Sequence, residues 1–483
     1  MTAAAAAFRA VAGVLAAGAE ASGAFAQAEL LRSIHACRGA GLHRLAAAQT
    51  RALRSIRELR ADRPEFALAA LTADVRDALA VAHALAGGAI EPEPRAVLRP
   101  AAPPDRLGID PALIGTARRE YAPVGELRLS GVLAEAILAR SGYAGAITYL
   151  ADERGALYTR ADVVPGDAIR AIAAYEAAAA FGDAALPHRE LCRSALILEA
   201  ATASADGRLG AGRRVRAVRT GQPSRWNAGP IDARFREPLA DQLARIAALD
   251  GDPAEARPAG WDLAFVEGAL AGGPTGIGLR TPRGPAAGEI VLRLSTTQHR
   301  ALPGRDNLVV LSRAAGLRVR VIGRVRVGAP RELHLLAIGP APGEGRFAMP
   351  DAWRGRANVH YDRISMLAIP DRDAPAAAAA PAPPAEDLLA PLRRRVERAV
   401  LGGAGTLPTQ ALAELEREAA ALAERALAGG AEVLRDLAAI AHDTGRTPAG
   451  ARRGLDPTAF AHAWLRAALY EDAARRRLSV ASW

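Results

Sequence analysis

The segment Leu317-Arg-Val-Arg-Val-Ile-Gly-Arg-Val-Arg-Val327 alternates apolar and cationic side chains. On a β-strand, successive side chains point to opposite faces. Leu317, Val319, Val321, Val325 and Val327 then share one face. Arg318, Arg320, Arg324 and Arg326 share the other, with Ile322 between them. A guanidinium offers a planar fork of donors that matches phosphate. A small β-barrel carrying such a face can bind single-stranded nucleic acid if stacking platforms are at hand; the nearby aromatics are Phe347, Trp353 and Tyr361. The same pattern also describes a strand face whose arginines pair with acidic side chains across the sheet. Arg213, Arg214, Arg216 and Arg219 form a weaker cluster with the same two readings.

Asn358-Val-His-Tyr-Asp362 places Asn358, His360 and Asp362 on one face of an expected strand. A His-x-Asp pair can ligate a metal, orient a general base or serve in structural hydrogen bonding. His35, Cys37 and His43 are three groups of metal-ligand type, but structural zinc takes four ligands. The only other cysteine is Cys192, so the plainer reading is a buried thiol with two surface histidines. Gly272-Gly-Pro-Thr-Gly-Ile-Gly278 and Gly207-Arg-Leu-Gly-Ala-Gly212 lack the ending of a phosphate loop and read as turns. No Gly-x-Ser-x-Gly elbow occurs. All 62 basic residues are arginine. Without lysine there is no phosphate-loop ammonium, no Schiff-base amine and no kinase-type strand lysine. Sequence alone therefore assigns no catalytic, cofactor-binding or metal-binding residue.

The net charge of +10 is unevenly spread. Residues 288–372 hold 14 arginines against 7 acidic residues, a local net of +7. Such a balance serves solubility or favours polyanions. Two distant cysteines exclude a disulfide framework and fit a reducing, cytoplasmic compartment. No stretch is long and apolar enough to predict a membrane span. Ala24-Phe-Ala26 resembles a signal-cleavage site, yet Arg9 is the lone n-region charge and Glu20 interrupts the approach, so an alanine-rich helix is the expectation.

The elements that must position these groups follow from hydrophobic period and punctuation. Residues 1–88 read as a helical domain, with Asp62 as an N-cap ahead of Pro64 and Glu65. Residues 89–118 are a proline-rich linker and 119–285 a mixed α/β module. In that module a hairpin joins Ile147–Ala151 to Ala156–Thr159, a helix covers Gly166–Phe181, a buried strand runs Ser194–Thr202 and a helix lies near Leu239–Leu249. Residues 286–372 read as a basic β-rich module with strands at Glu289–Ser295, Asn307–Ser312, Gly316–Val327 and Glu332–Ile338. An Ala/Pro linker spans 373–386 and a helical domain 387–483, where Asp456 caps a helix bearing Phe460, Trp464 and Ala468 and ending at Arg475-Arg-Arg477. The expected fold is α+β: an N-terminal helical region, a central β-rich part with small barrel or sandwich modules, and a C-terminal helical domain.

The blocks Gly41-Leu-His-Arg-Leu45, Ala52-Leu-Arg-Ser-Ile56, Pro64-Glu-Phe-Ala-Leu68 and Asp77–Leu85 resemble the helical region that follows the zinc finger in bacterial SWIM-type zinc-finger proteins. Tyr121–Leu129, Gly142-Tyr-Ala-Gly145 and Pro165-Gly-Asp167 extend the resemblance. It implies a remote, finger-less relative that binds DNA or protein, often encoded beside AAA+ ATPase and von Willebrand A-type partners. The defining Cys-x-Cys and Cys-x-His pairs are absent, so zinc binding carries over to no residue here.

Three functions stand on these observations. The first is a non-enzymatic interaction protein or scaffold of a bacterial multi-protein system, with a protein partner, no cofactor and no membrane. The second is a nucleic-acid-binding protein using Arg318, Arg320, Arg324 and Arg326. The third is an enzyme assembled across loops, with His360 and Asp362 as first suspects.

Overall fold

A computed structural model describes residues 2–87, 111–181, 184–212, 214–252, 256–273, 276–284, 287–326, 328–329, 331–369, 387–407, 412–442 and 454–483. The chain is mixed α+β, with helices at both ends and a β-rich centre. It divides into two compact units: Met1–Arg118 with Glu386–Arg477, and Arg119–Ala385 with Leu478–Trp483.

The two helical ends, expected as separate modules, share one hydrophobic core. It is built from α1 (Thr2–Ala17), α2 (Ala24–Gly39), α3 (His43–Arg60) and α4 (Leu68–Leu85), with the short α5 (Pro111–Ile114) beside them. From the other end come α11 (Ala390–Gly402), α12 (Leu412–Glu424), α13 (Ala428–His442) and α14 (Pro457–Ser482). Small side chains let helix backbones approach. Where α1 ends, Ala19 N–H donates to Val400 O (2.9 Å) and Glu20 N–H to Leu401 O (3.1 Å). Gly18 and Gly403 face each other there with φ of +89° and +72°, and a Cβ on Gly403 would lie 2.4 Å from Ala16 O. Only glycine combines that backbone conformation with that clearance. Trp464 is buried and donates from Nε1 to Val396 O at 3.0 Å.

Several sequence expectations change here. Asp62 adopts φ +48° in the turn closing α3, and α4 is preceded by Ala67 in its place. Asp456 does cap α14, accepting from Thr458 N–H at 2.8 Å. Arg475–Arg477 do not end that helix, which continues to Ser482; Arg475 pairs with Asp472 at 2.6 Å instead. The linker 89–118 lies outside the described residues up to Asp110, as do 373–386.

The second unit holds an open sheet and a barrel. The open sheet has order β3-β2-β1-β6-β7, from β1 (Ala122–Ala139), β2 (Tyr143–Asp152), β3 (Leu157–Pro165), β6 (Ser194–Ala203) and β7 (Arg216–Pro223). The hairpin β4 (Ala178–Phe181) and β5 (Ala184–Pro187) stands apart. It takes the residues expected to finish the helix α6 (Ala168–Glu176), which Asp167 caps. In the second sheet β8 (Leu263–Gly273), β9 (Gly276–Gly284), β10 (Ala287–Ser295), β11 (Arg318–Val325) and β12 (Glu332–Pro340) pair in the order β10-β9-β8-β11-β12. A parallel β10–β12 ladder, Arg293↔Glu332 to Ser295↔His334, closes the five strands into a small barrel. The two-residue β13 (Ala357–Asn358) adds to β12.

The barrel therefore begins at Leu263, and the expected boundary at 285/286 falls inside the β9–β10 hairpin. Asn307–Leu311 of the expected strand Asn307–Ser312 is helical, within α10 (Gly304–Leu311), because Asn307 Nδ2 is drawn to Val359 O (2.9 Å) and Asp362 O (2.8 Å). Short helices α7 (His188–Leu191), α8 (Gly229–Arg236) and α9 (Leu239–Asp250) complete the unit. Among the described residues no helix is long and apolar enough to cross a membrane.

Replacing Gly403 by alanine is expected to lower the stability of the helical unit by at least about 1–3 kcal/mol, the cost of a strained backbone conformation alone. Urea melts followed by helical ellipticity measure it, with Gly405→Ala, which meets nothing within 4 Å, as the control.

Candidate functional site

The arginine row of β11 alternates as expected, with Arg318 and Arg326 exposed at its ends and Arg320 and Arg324 drawn inside. Val319, Val321 and Val325 fill the barrel. On the outer face, Ile322 joins a core with Val132, Leu133 and Tyr149 of the open sheet. The flanking arginines are held in the same layer. Arg320 is buried, bonding Asp232 (2.8 Å), Glu267 (2.9 Å) and Trp226 O (2.7 Å) over the Phe235 ring. Arg324 bridges Glu135 (2.6 Å) and Asp262. Arg318 pairs with Glu267 at 2.8 Å, and only Arg326 is exposed without an ion pair among the described residues. Of the two readings of this row, the arrangement of Arg318, Arg320 and Arg324 matches the one in which arginines pair with acidic side chains, Glu267 lying directly across the sheet from Arg320. Its signal was in the sequence: Ile322 stands where a solvated arginine face should carry a polar residue.

Asn358, His360 and Asp362 are all buried, but not on one strand. β13 ends at Asn358, and the chain turns so that Tyr361 and Asp362 N–H both bond Asn358 O. The carboxylate of Asp362 accepts from Arg193 Nη2 (2.6 Å), Asn358 N–H (2.6 Å) and Tyr175 O–H (3.3 Å). Its oxygens are thus occupied. His360 points elsewhere, accepting from Ala136 N–H at 3.4 Å, with His334 beside it at 5.8 Å between ring centroids. They form no catalytic pair. Burial lifts the Asp362 carboxyl above the usual range against the pull of Arg193. Arg356 is fully buried and is satisfied by carbonyls, those of Cys192 (2.6 Å), Ser224 (3.0 Å) and Gly131 (3.2 Å). Burial pushes its guanidinium down to about 10.

This network forms the wall of an open cleft of about 530 Å³ in which Tyr175, Arg193 and Asp362 take part. Around it stand Arg189 from α7, Arg219 from β7 and Arg354 after the turn Asp351–Trp353. Arg189 pairs with Glu176 (3.0 Å), and Glu190 holds Arg219 (3.1 Å). Arg354 is exposed and has no ion pair among the described residues. Exposed pairs are worth only about 0.2–1 kcal/mol each, so an incoming carboxylate or phosphate can displace Glu176 or Glu190 at little cost. Buried pairs such as Arg193–Asp362 cannot be exchanged this way. The cleft is suited to binding a charged group. His360 does not line it.

The remaining sequence candidates do not converge. Cys37 is buried against Gln49 Nε2 (3.4 Å), and His35 is exposed. Gly273 pairs with Gly276 where β8 meets β9. No group of three metal-binding side chains occurs among the described residues. Arg189, Arg193 and Arg354 were not singled out in sequence, since nothing in their local spacing marks them. No family model matches this chain, nor does any curated protein or solved structure.

Removing one partner of a buried ion pair strands the other charge. Arg193→Met is therefore expected to cost about 3–5 kcal/mol in urea unfolding. A second expectation concerns acid. Burial depresses His188 and His360 to about 4, whereas an unfolded histidine titrates near ~6.5. The unfolded chain thus binds more protons between those values. Stability is complete above that window and falls as pH drops through it, by roughly 1.4 kcal/mol per pH unit per histidine. Melting temperatures recorded from pH 7 to pH 4 check this, and His360→Gln should flatten the slope.

Proposed function

We propose that this protein is a non-enzymatic interaction protein, a scaffold component within a bacterial multi-protein system. The observation that carries this reading is the cleft beside β7, whose exposed ion pairs are weak enough to exchange with a partner's charged groups. The residues best typed for acid–base chemistry support the same reading. Asp362 spends its oxygens on Arg193, Asn358 and Tyr175, and His360 is turned toward the backbone of β1. The resemblance to SWIM-type proteins, taken as a remote finger-less kinship, also favours work within an assembly. Two free, buried cysteines fit a reducing cytoplasm.

A nucleic-acid role resting on Arg318, Arg320, Arg324 and Arg326 is weakened, because Arg320 and Arg324 are committed to carboxylates inside the unit, which leaves Arg318 and Arg326 at its surface.

Purification of the tagged full chain from its native cells, followed by size exclusion with light scattering, is expected to show it co-eluting with a second protein at fixed stoichiometry. A lone monomer, with the input proteins all recovered in other fractions, overturns the proposal.

A further inference from the structure

Within the helical unit, the two ends of the chain meet at a pair of histidines. His83 lies in the last turn of α4 and His462 in the second turn of α14. Their rings approach edge to face with centroids 5.0 Å apart, and His462 Nε2 stands 3.2 Å from His83 Nδ1. Phe8 of α1 stacks on His462 at 4.5 Å between centroids and lies 6.1 Å from His83. Three helices are thus joined around one nitrogen–nitrogen contact.

The surroundings fix where the protons of this contact sit. The His462 ring also bonds the backbone of Thr458, one turn earlier, in the sense that favours its charged form. Such a bond is one that the ring donates. Nδ1 of His462 therefore carries its proton, and Nε2 is left as the acceptor. His83 Nδ1–H donates across the seam. The vacant lone pair is then His83 Nε2, which is buried and has no hydrogen-bond partner among the described residues. A first proton enters there, beside the terminal carbonyls of α4 that favour a cation, and the bond between the rings persists. A second proton has only His462 Nε2 to take. It removes the acceptor and sets two cations in contact. Burial, and after it the neighbouring His83, hold His462 below the ordinary histidine range, against Thr458 and Asp456.

Little around the pair offsets the second charge. Asp456, exposed at the cap of α14, is the acid whose charge favours a His462 cation. On α1 the neighbouring charge is Arg9, which is exposed. Along the same seam Arg76 of α4 is paired with Asp472 of α14 at 2.9 Å, and Arg466 of α14 with Asp436 of α13 at 2.9 Å. α3, packed on α4, pairs Arg44 with Asp77 and Arg51 with Asp74. α11, packed on α1 and α4, sends Arg393 to Asp387 and Arg395 to Glu418, and its Glu397 bonds neither ring. Among the described residues no carboxylate hydrogen-bonds either histidine. We propose that His83 and His462 form an acid-operated latch: the neutral or singly protonated pair holds the start of α14 against α4 and α1, and the second proton releases it. The latch is independent of the interaction reading above. Its sign follows from His462, which binds its proton less readily in the folded chain than in the unfolded one, so the seam is most stable at neutral pH and weakens as pH falls below the ordinary histidine range.

The test is hydrogen exchange of the full chain at pH 7 and pH 4, corrected for the intrinsic effect of pH, together with nitrogen-15 spectra of its histidine rings. Acid is expected to raise local opening at residues 79–85 and 457–466 by about tenfold, while α2 and α3 keep their protection. His462→Phe keeps an aromatic ring against Phe8 and has nothing to protonate, so its opening at these residues should not depend on pH. In His83→Phe the His462 ring should take its proton about one pH unit higher than in the wild-type chain. Exchange at α4 and α14 that ignores pH overturns the proposal. So does acid opening of wild-type size in both variants, an unmoved His462 titration in His83→Phe, or loss of protection spread evenly over α2 and α3, which is plain acid unfolding. Should one variant fail to fold at pH 7, the other decides, and the wild-type spectra must still show the pair titrating in two separate steps; a single shared step sinks the latch.

Discussion

The second unit depends on neutralising guanidinium groups between its barrel and its open sheet. The outer face of β11 must be both a packing surface, through Ile322, and a home for Arg320 and Arg324. A buried cation without partners is untenable, and even a buried pair repays its desolvation only when its geometry is good. Each arginine meets that condition by reaching two carboxylates. Arg320 takes Asp232 and Glu267, and Arg324 takes Glu135 and Asp262. Of these carboxylates only Glu135, on β1, belongs to the open sheet, so the Arg324–Glu135 pair ties the barrel to it. Packing of apolar side chains alone would tolerate sliding.

The absence of lysine gains a physical meaning here. An ammonium is a compact point charge, whereas the guanidinium is a flat fork that can bond several acceptors in fixed directions. Arg356, enclosed by three carbonyls, and Arg193, joined to Asp362, Tyr175 and the carbonyls of Arg189 and Trp353, both use that fork. Of these two buried side chains, Arg193 lines the cleft. What is left for binding are the outer arginines, held by pairs that water already weakens.

Local pattern was legible in the sequence where a residue's neighbours along the chain decide its state. The alternation of β11, the β2–β3 hairpin, the strand at Ser194 and the cap at Asp456 are all of this kind. A small barrel or sandwich was also expected, though its first strand was placed too late in the chain. Failures arose where distant residues decide. Asn307 forms part of a helix because Val359 and Asp362, more than fifty residues away, hold its amide. Whether the arginine row was open or paired stayed undecided because no sequence window contains Glu135, Asp232 and Asp262 together with it. Ile322 was the single local hint. The weaker cluster at Arg213–Arg219 differs: Arg216 and Arg219 lie on an edge strand, and sequence carries no information about which strand ends a sheet.

The helical core is made from both ends of the chain, with the β-rich unit inserted between them. This has a consequence for biogenesis. A ribosome releases residues at roughly 5–20 per second, so α1 to α4 emerge long before α11 to α14, separated by everything from residue 119 to 385. For roughly a quarter of a minute to a minute, the faces of those alanine-rich helices that later meet α11 and α14 have nothing to pack against. The inserted unit can consolidate most of its barrel in that interval. Nascent-chain handling by chaperones should therefore concentrate on the opening hundred residues, even though they are the first to be made.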